Sequence, residues 1–544
     1  MSILVRYTDI AIGAKEDFSV DTGSSLAQSN NELFNIDSEE KRGGYTIPLE
    51  LNSMVLDGSS EFLPENEGEA NIAYISENIS NENGRFETPI QFYILAEGFY
   101  ASTGITLIFD EIKNIYATHL NIKWYRNNVL LHDEYFYPTS ANYFCNAKVD
   151  FYNKIVITFY SSNLPFHRLR MSAIEYGLKI EFEGNELKSA KIIQEIDPIS
   201  SSIPANTFDF TIDSKRDIDF SFQARQPIEC YFNNNPIAVT FIKNVKRKSK
   251  TIWDIKSEDY IGLMDTIYFK GGLYTNKRAE ELLRDIFAVA KIPHELKSDF
   301  SNVYLTGYIP YTTCREALMQ VVFAMGAVAD TSNSDFVKIF YLNNAVSQKI
   351  PKRRIFVGQN FDNETRVTAV ELVSHSYSEI SDTVVAYEAQ KSGSGSNIFV
   401  MFSEPLHSLS IQSGSIIESG VNYAIINANS DCVLTGQKYE HTRIIYRKEN
   451  PFVLTTDIEN VISIENATLI SLNNVDKILN SCYNYLVNTE QTQMKIAEGK
   501  NDNSTAVGDF IACETEYLGE KQGRIIKQSF SLVGGILAKD SIMR

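Results

Sequence analysis

Between residues 89 and 184 apolar positions alternate with polar ones in strand-length runs: "GITLIFD" (104–110), "LNIKWY" (120–125), "VLLHDEYF" (129–136), "KIVITFY" (154–160) and "SAIEYGLKIEF" (172–182). Ile105, Leu107 and Phe109 share one face of their run, as do Ile155, Ile157 and Phe159, which is the period of a half-buried strand. Short, evenly spaced strands without helical punctuation predict an antiparallel β-sandwich. Further strand-like runs follow, among them "AVTFI", "TIWDI", "DTVVAYEAQ", "NIFVMF", "YAIINA" and "RIIYRK", and the pattern resumes near the end in "GDFIACETEY" and "GRIIKQSFSLVGG".

The period changes to that of a helix in three places. In "KRAEELLRDIFAVAKIP" Ala279, Leu282, Leu283, Ile286 and Ala290 form one stripe, with Thr275 or Asn276 as cap and Pro293 as stop. In "YTTCREALMQVVFAMG" Thr313 and Glu316 match a capping box, in which the hydroxyl takes a first-turn amide and the carboxylate reaches back. Ala317, Leu318, Val321, Val322 and Met325 supply the buried face, and Gly326 suits the left-handed residue that ends a helix. "AVAD" and "FVKIFYL" flank "TSNS", a hairpin signature. The third helix is "SLNNVDKILNSCYNYLVNT", with Val475, Ile478, Leu479, Cys482 and Leu486 in register.

The fold class is therefore mainly β with a few helices (α+β), an amino-terminal antiparallel sandwich followed by β-rich domains. The expected division is a turn-rich arm or collar over 1–85, whose order depends on packing against a neighbour, then the sandwich over 86–190. A β-rich domain over 191–262, a helix–helix–hairpin domain over 263–345, a β-rich domain over 346–465 and a helix with closing strands over 466–544 complete it. Pro198 and Pro204 mark the edge between the second and third parts.

Composition narrows the chemistry. A length of 544 residues is enough for several cores, and a net charge of −19 argues against a surface that tracks phosphates. The one basic run, "KNVKRKSK" (243–250), lies between two strands and reads as a solvated hairpin tip. Cys145, Cys230, Cys314, Cys432, Cys482 and Cys513 are scattered without metal or disulfide spacing, and read as reduced, buried small hydrophobes. The start "MSILVRYTDIAIG" has the form of neither a signal peptide nor a membrane span, so synthesis in the cytoplasm is expected.

Catalytic patterns are missing. His119, His132, His167, His294, His375, His407 and His441 stand singly, and no phosphate loop, dinucleotide fingerprint or nucleophile elbow occurs. No cofactor, metal or catalytic residue is expected, although a glycosidase-like carboxylate pair meets only in space and leaves a hydrolase as a third reading. Tyr100, Trp124, Tyr125, Asn163 and Arg168 fall in the sandwich. Rings with a polar fork suit sugar recognition; Trp124, alternating with Ile122, suits the core equally well.

Two sets of segments carry resemblances. "KIVITFYSSNLPFHRLRMSAIEYG" resembles the closing strands of galactose-binding-like jelly rolls. "IDPISSSIPANTFDF" with "GYIPYTTCREALMQVVFAMGAVADTSNSDFVKIF", and the ending "GDFIACETEYLGEKQGRIIKQSFSLVGG", resemble hub-like tail proteins of phages and prophages of Gram-positive bacteria. The Thr-x-Arg-x-x-Leu helix of that family corresponds to Thr313, Arg315 and Leu318. The resemblance implies a non-enzymatic baseplate or hub component of a phage tail or a phage-tail-like (R-type) bacteriocin particle, released by lysis. Its implied partners are tube, spike, wedge or distal tail proteins and further copies of itself in a threefold ring, with neither nucleic acid nor membrane. The family's peptidoglycan hydrolase is a separate module after the hub, so no lysin activity is carried over. The alternative role is a receptor-binding tail protein that grips cell-wall glycan through the sandwich.

Overall fold

The computed structural model describes residues 3–9, 17–23, 25–28, 43–44, 66–67, 73–111, 113–177, 179–214, 222, 224–232, 235–358, 360–363, 365–389, 397–487, 490–496, 505–515, 519–532 and 537–543. The chain is mainly β, with four α-helices among the described residues: α1 (Tyr260–Met264), α2 (Ala279–Ala290), α3 (Cys314–Met325) and α4 (Val475–Leu486). Most of the turn-rich arm and the tip "KSGSGS" lie outside the described residues.

Strands from both ends of the chain share one thirteen-stranded sheet. Ile3–Thr8 runs antiparallel between Lys179–Glu183 and Pro227–Phe232. Leu187–Glu195 pairs with Glu520–Ser531. Val5, Tyr7, Phe182, Phe208, Phe210, Ile228 and Ile255 are buried together beneath the sheet. The basic run is only partly a tip: Lys243–Arg247 end the strand Asn235–Arg247, and Lys248–Lys250 lie in the turn before Ile252–Glu258, with all the cations exposed.

Eight strands lying between Ser19 and Tyr176 form a separate antiparallel sheet. Arg85–Phe109 and Asn142–Ser162 pair along most of their length, with register breaks between Asn146 and Lys154. Such breaks add local twist. Phe92, Phe109, Trp124, Ile157 and Phe159 fill its core. A third sheet, of five strands, spans 369–464 and is built on Ala369–Ala389 and Tyr423–Glu449.

The helices pack with short strands around Met264, Leu282, Leu318, Val322 and Ile478. Thr313 caps α3 by accepting the Glu316 amide at 3.2 Å, and Gly326 ends it at φ 70°. Val328–Asp330 and Val337–Phe340 form the expected hairpin. The cap of α2 differs from expectation. Thr275 and Asn276 belong to the strand Gly272–Arg278, paired with Tyr304–Ile309, and the Asn276 amide is held by Thr306 Oγ1 at 2.9 Å. Both residues fall in the register shift between the Tyr274 and Lys277 pairs, where Asn276 is left-handed at φ 52°, so the helix starts only at Ala279.

The eight-stranded and thirteen-stranded sheets meet at the buried carboxylate of Asp9. Its Oδ2 accepts from the Thr103 amide at 2.7 Å and from the Thr103 hydroxyl, and its Oδ1 accepts from Gln226 Nε2 at 2.8 Å. Asp9→Ala strands the Thr103 and Gln226 donors and should cost about 3 kcal/mol in chemical denaturation.

A second buried polar contact ties the five-stranded sheet to its flank. His375 Nε2 faces the Glu465 carbonyl at 3.0 Å and must donate to it, so His375 Nδ1 accepts from His441 Nε2 at 2.9 Å. Burial, with His441 and Arg443 nearby, pushes His375 down to about 4 from its ordinary 6.5. The folded value lies below the unfolded one, so the unfolded chain takes up the proton first as pH falls. This contribution is complete above about pH 6.5 and declines by up to about 3 kcal/mol by pH 4. His441→Gln keeps a donor but removes the repulsion, so the fall in urea midpoint between neutral and acid pH should be smaller than in the parent.

Candidate functional site

Each of the five residues expected at a sugar site is engaged within the sandwich. Trp124 is fully buried against His132 and Phe136. The Tyr100 hydroxyl donates to Asp17 Oδ2 at 2.6 Å, and the Lys154 ammonium lies 5.5 Å from the Tyr125 ring centre. Asn163 clamps a loop, accepting from the Tyr116 amide at 2.9 Å and donating to the Asn114 carbonyl at 2.8 Å. Arg168 is buried and donates from Nη1 to the Ser76 carbonyl at 3.1 Å and to the Glu77 carbonyl. Tyr100, Trp124 and Tyr125 border residues 152–155 of the central strand, whereas Asn163 lies beyond that strand's end.

The outer face of these strands, which Tyr125 shares, carries what that expectation missed. In Ala117–Arg126 the core residues Leu120, Ile122 and Trp124 alternate with His119, Asn121 and Lys123. The His119 ring lies 5.1 Å from Tyr137, 5.6 Å from Tyr135 and 4.8 Å from Tyr160, and is nearly parallel to Tyr137 at 3°. Tyr135 and Tyr137 are more than half exposed. Beside them Asn121 Nδ2 donates to Asp133 Oδ1 at 2.7 Å, and Lys123 pairs with Asp133 at 3.3 Å. The Asn121 amide and Lys123 hold Asp133 below the usual carboxylate range against the opposing pull of burial. The signal was "EYFY": Phe136 turns into the core, which sends both tyrosines outward.

A second surface is apolar. In the loop 450–458, Phe452 is 77%, Leu454 56% and Ile458 79% exposed. The loop backbone is nonetheless held in place. Arg366 Nη1 donates to the Phe452 carbonyl and pairs with Asp457 at 3.4 Å, Asp457 Oδ2 accepts from the Leu454 amide at 2.7 Å, and Asn450 Nδ2 donates to the Val367 carbonyl at 2.8 Å. A separate row of rings includes the start of the strand Tyr423–Glu449, whose other end leads into this loop: Tyr268 lies 5.5 Å from Tyr311, Tyr311 5.3 Å from Phe399, and Phe399 5.6 Å from Tyr423. Exposed Met401 is two residues beyond Phe399 on its strand.

No group of three or more His, Cys, Asp or Glu side chains among the described residues could hold a metal ion. All six cysteines are buried, and burial pushes the thiol of Cys314 up to about 11 and those of Cys230 and Cys482 up to about 12. Thiols so placed are poor nucleophiles. No helix among the described residues is long and apolar enough to cross a membrane.

No protein family profile matches the sequence, and no curated protein does. Among solved structures the chain is similar to the 43 kDa tail protein of prophage MuSo2 from Shewanella oneidensis, at 8% identity and a TM-score of 0.44, over 67% of this chain and 95% of that one. It is similar to a tail protein from Neisseria meningitidis MC58 at 11% identity and a TM-score of 0.45, over 67% and 94%. It is also similar to prophage tail protein gp18 from Listeria monocytogenes EGD-e at 12% identity and a TM-score of 0.37, over 67% and 91%.

Proposed function

We propose that this chain is a non-enzymatic structural component of a phage tail or phage-tail-like bacteriocin particle, in its baseplate or hub region. The observation that carries the reading is the loop 450–458, whose backbone is fastened while Phe452, Leu454 and Ile458 face solvent. A surface of this kind suits burial in an assembly, because association then orders little that is not already ordered. The residues behind the family resemblance have structural roles that agree with it. Thr313 caps α3, Leu318 is fully buried, and Arg315 joins α3 to the chain before it by donating to the Ile203 carbonyl and pairing with Asp265 at 2.5 Å.

In this reading the sandwich is a peripheral module, the parts from 191 to 544 form the hub-like body, and the partners are tube, spike and distal tail proteins with two further copies of the chain. The test is the mass of the purified chain by light scattering, followed by its incorporation into particles. The parent should form a trimer or enter particles. A Leu454→Asp/Ile458→Asp variant with an unchanged circular dichroism spectrum should stay monomeric and be left out. Incorporation of the variant at the parent's level would sink the reading.

A second reading, that the sandwich grips cell-wall glycan, draws on the ring row at His119. Sugar ring faces stack on aromatic side chains while amides and charged groups take hydroxyls. Tyr135→Ala/Tyr137→Ala should weaken binding of the chain to purified cell walls about tenfold, the loss of roughly 1.4 kcal/mol of stacking. Tyr125→Ala, on the sequence-expected site, serves as comparison, and unchanged binding in both variants would leave the sandwich a structural part.

A further inference from the structure

A cavity of about 800 Å³ lies between α4, the segment 341–344 and the strands Phe510–Glu514 and Glu520–Ser531. Its walls are amphipathic, with Tyr341, Leu342, Ile478 and Phe510 beside Asn344 and Ser481. Arg524 also lines it and is only 7% exposed.

The guanidinium is held by neutral acceptors alone. Nη1 donates to the Gly508 carbonyl at 2.5 Å, and Nη2 donates to the Asn343 carbonyl at 3.1 Å and to Asn344 Oδ1 at 2.5 Å. A guanidinium has five N–H groups, so Nε–H and one Nη1–H are left over. No carboxylate among the described residues forms an ion pair with it. The two acids in the vicinity are committed elsewhere: Asp509 Oδ2 accepts from the Ala506 amide at 2.9 Å, and Glu520 pairs with Lys349 at 2.5 Å. Burial lowers the pKa of Arg524, with Tyr485 and Asp509 opposing it only in part. A buried charge without a counter-charge costs several kcal/mol, and truncating it or pairing it removes that cost. Here the charge is kept, beside a space large enough for a small ligand.

We propose that this cavity is a binding site for a carboxylate attached to an apolar body, with Arg524 as the counter-charge and Tyr341, Leu342 and Phe510 around the body. Of the charged residues in the lining, Glu520 is exposed and paired with Lys349, Lys521 is half-buried, and Arg524 is the buried one; a single buried cation matches a monoanion, and charge-assisted bonds to the two remaining N–H groups are stronger than neutral ones. The carboxylate comes from a free metabolite or from an acidic residue on an inserted segment of a partner chain.

The test uses the full chain and titrates 3-phenylpropionate against its neutral isostere 3-phenylpropanamide by calorimetry, with an acetylated, amidated Phe-Glu dipeptide as a third probe. The acid should bind saturably and the amide at least tenfold more weakly. Tighter binding of the dipeptide assigns the carboxylate to a partner chain, and tighter binding of the free acid assigns it to a metabolite. Arg524→Gln should weaken the acid at least tenfold. Because Arg524 also fastens Gly508 and Asn343, a second variant is needed. Ser481→Trp changes an exposed residue of α4 at the cavity wall, and should abolish binding without altering the melting temperature. Equal affinity for acid and amide, or undiminished acid binding in Ser481→Trp, would overturn the proposal.

Discussion

The arrangement of the molecule depends on one buried carboxylate. Asp9 follows the first strand of the thirteen-stranded sheet, and Gly177 precedes Lys179–Glu183, the strand that pairs with it. The whole eight-stranded unit is thus an excursion that leaves and returns at one place. Thr103 belongs to the excursion and Gln226 to the main sheet, and both donate to Asp9. Backbone closes the same joint: the Gly177 amide donates to the Gly104 carbonyl at 2.8 Å, and Thr106 Oγ1 donates to the Gly177 carbonyl at 3.1 Å. A Cβ on Gly177, at φ +88°, would stand 2.3 Å from the Asp9 carbonyl oxygen. Only glycine fits that approach.

The helical unit is attached by similar means. Asp259 caps α1 through the Gly262 amide at 3.0 Å, and also accepts from the Asn206 amide at 2.9 Å and from the Thr331 hydroxyl. One carboxylate thereby links the strand edge at 206, the start of α1 and the turn of the hairpin after α3. Burial pushes Asp259 up to about 6 despite these donors. The node therefore favours geometry over net stability at neutral pH, since a carboxylate raised above its unfolded value loses stability as pH climbs through that interval. Both junctions use polar groups whose directional bonds fix an angle, which apolar packing alone does not.

Local signals were legible in the sequence and non-local ones were not. Thr313, Gly326, the "TSNS" turn and the buried face of α4 each rest on contacts within a few residues, and each stands where the pattern put it. The cap of α2 was misplaced because Thr275 and Asn276 are controlled by a strand some thirty residues away. "YAIINA" and "RIIYRK" read as two strands but are parts of Tyr423–Glu449, the first paired with Leu406–Ser419 and the second with Ala369–Ala389. The ring row needs the pleats of three strands to bring His119, Tyr135 and Tyr160 side by side. Histidines that stood singly in the sequence, His375 and His441, meet for the same reason.

Charge sets a further condition on how such a chain meets others. At −19 it repels its own copies, and the repulsion reaches about 8–10 Å at physiological ionic strength. A surface that joins copies must therefore carry its charges already paired. At the loop 450–458, Asp457 is paired with Arg366. Beside the other row of rings, from Tyr268 to Tyr423, Lys270 is paired with Glu418 at 2.6 Å and lies 4.8 Å from the Tyr423 ring centre. Exposed pairs like these contribute little to folding. Their effect is to make the apolar rings around them electrically quiet, so that contact with another acidic chain gains apolar burial without opposing unpaired like charges.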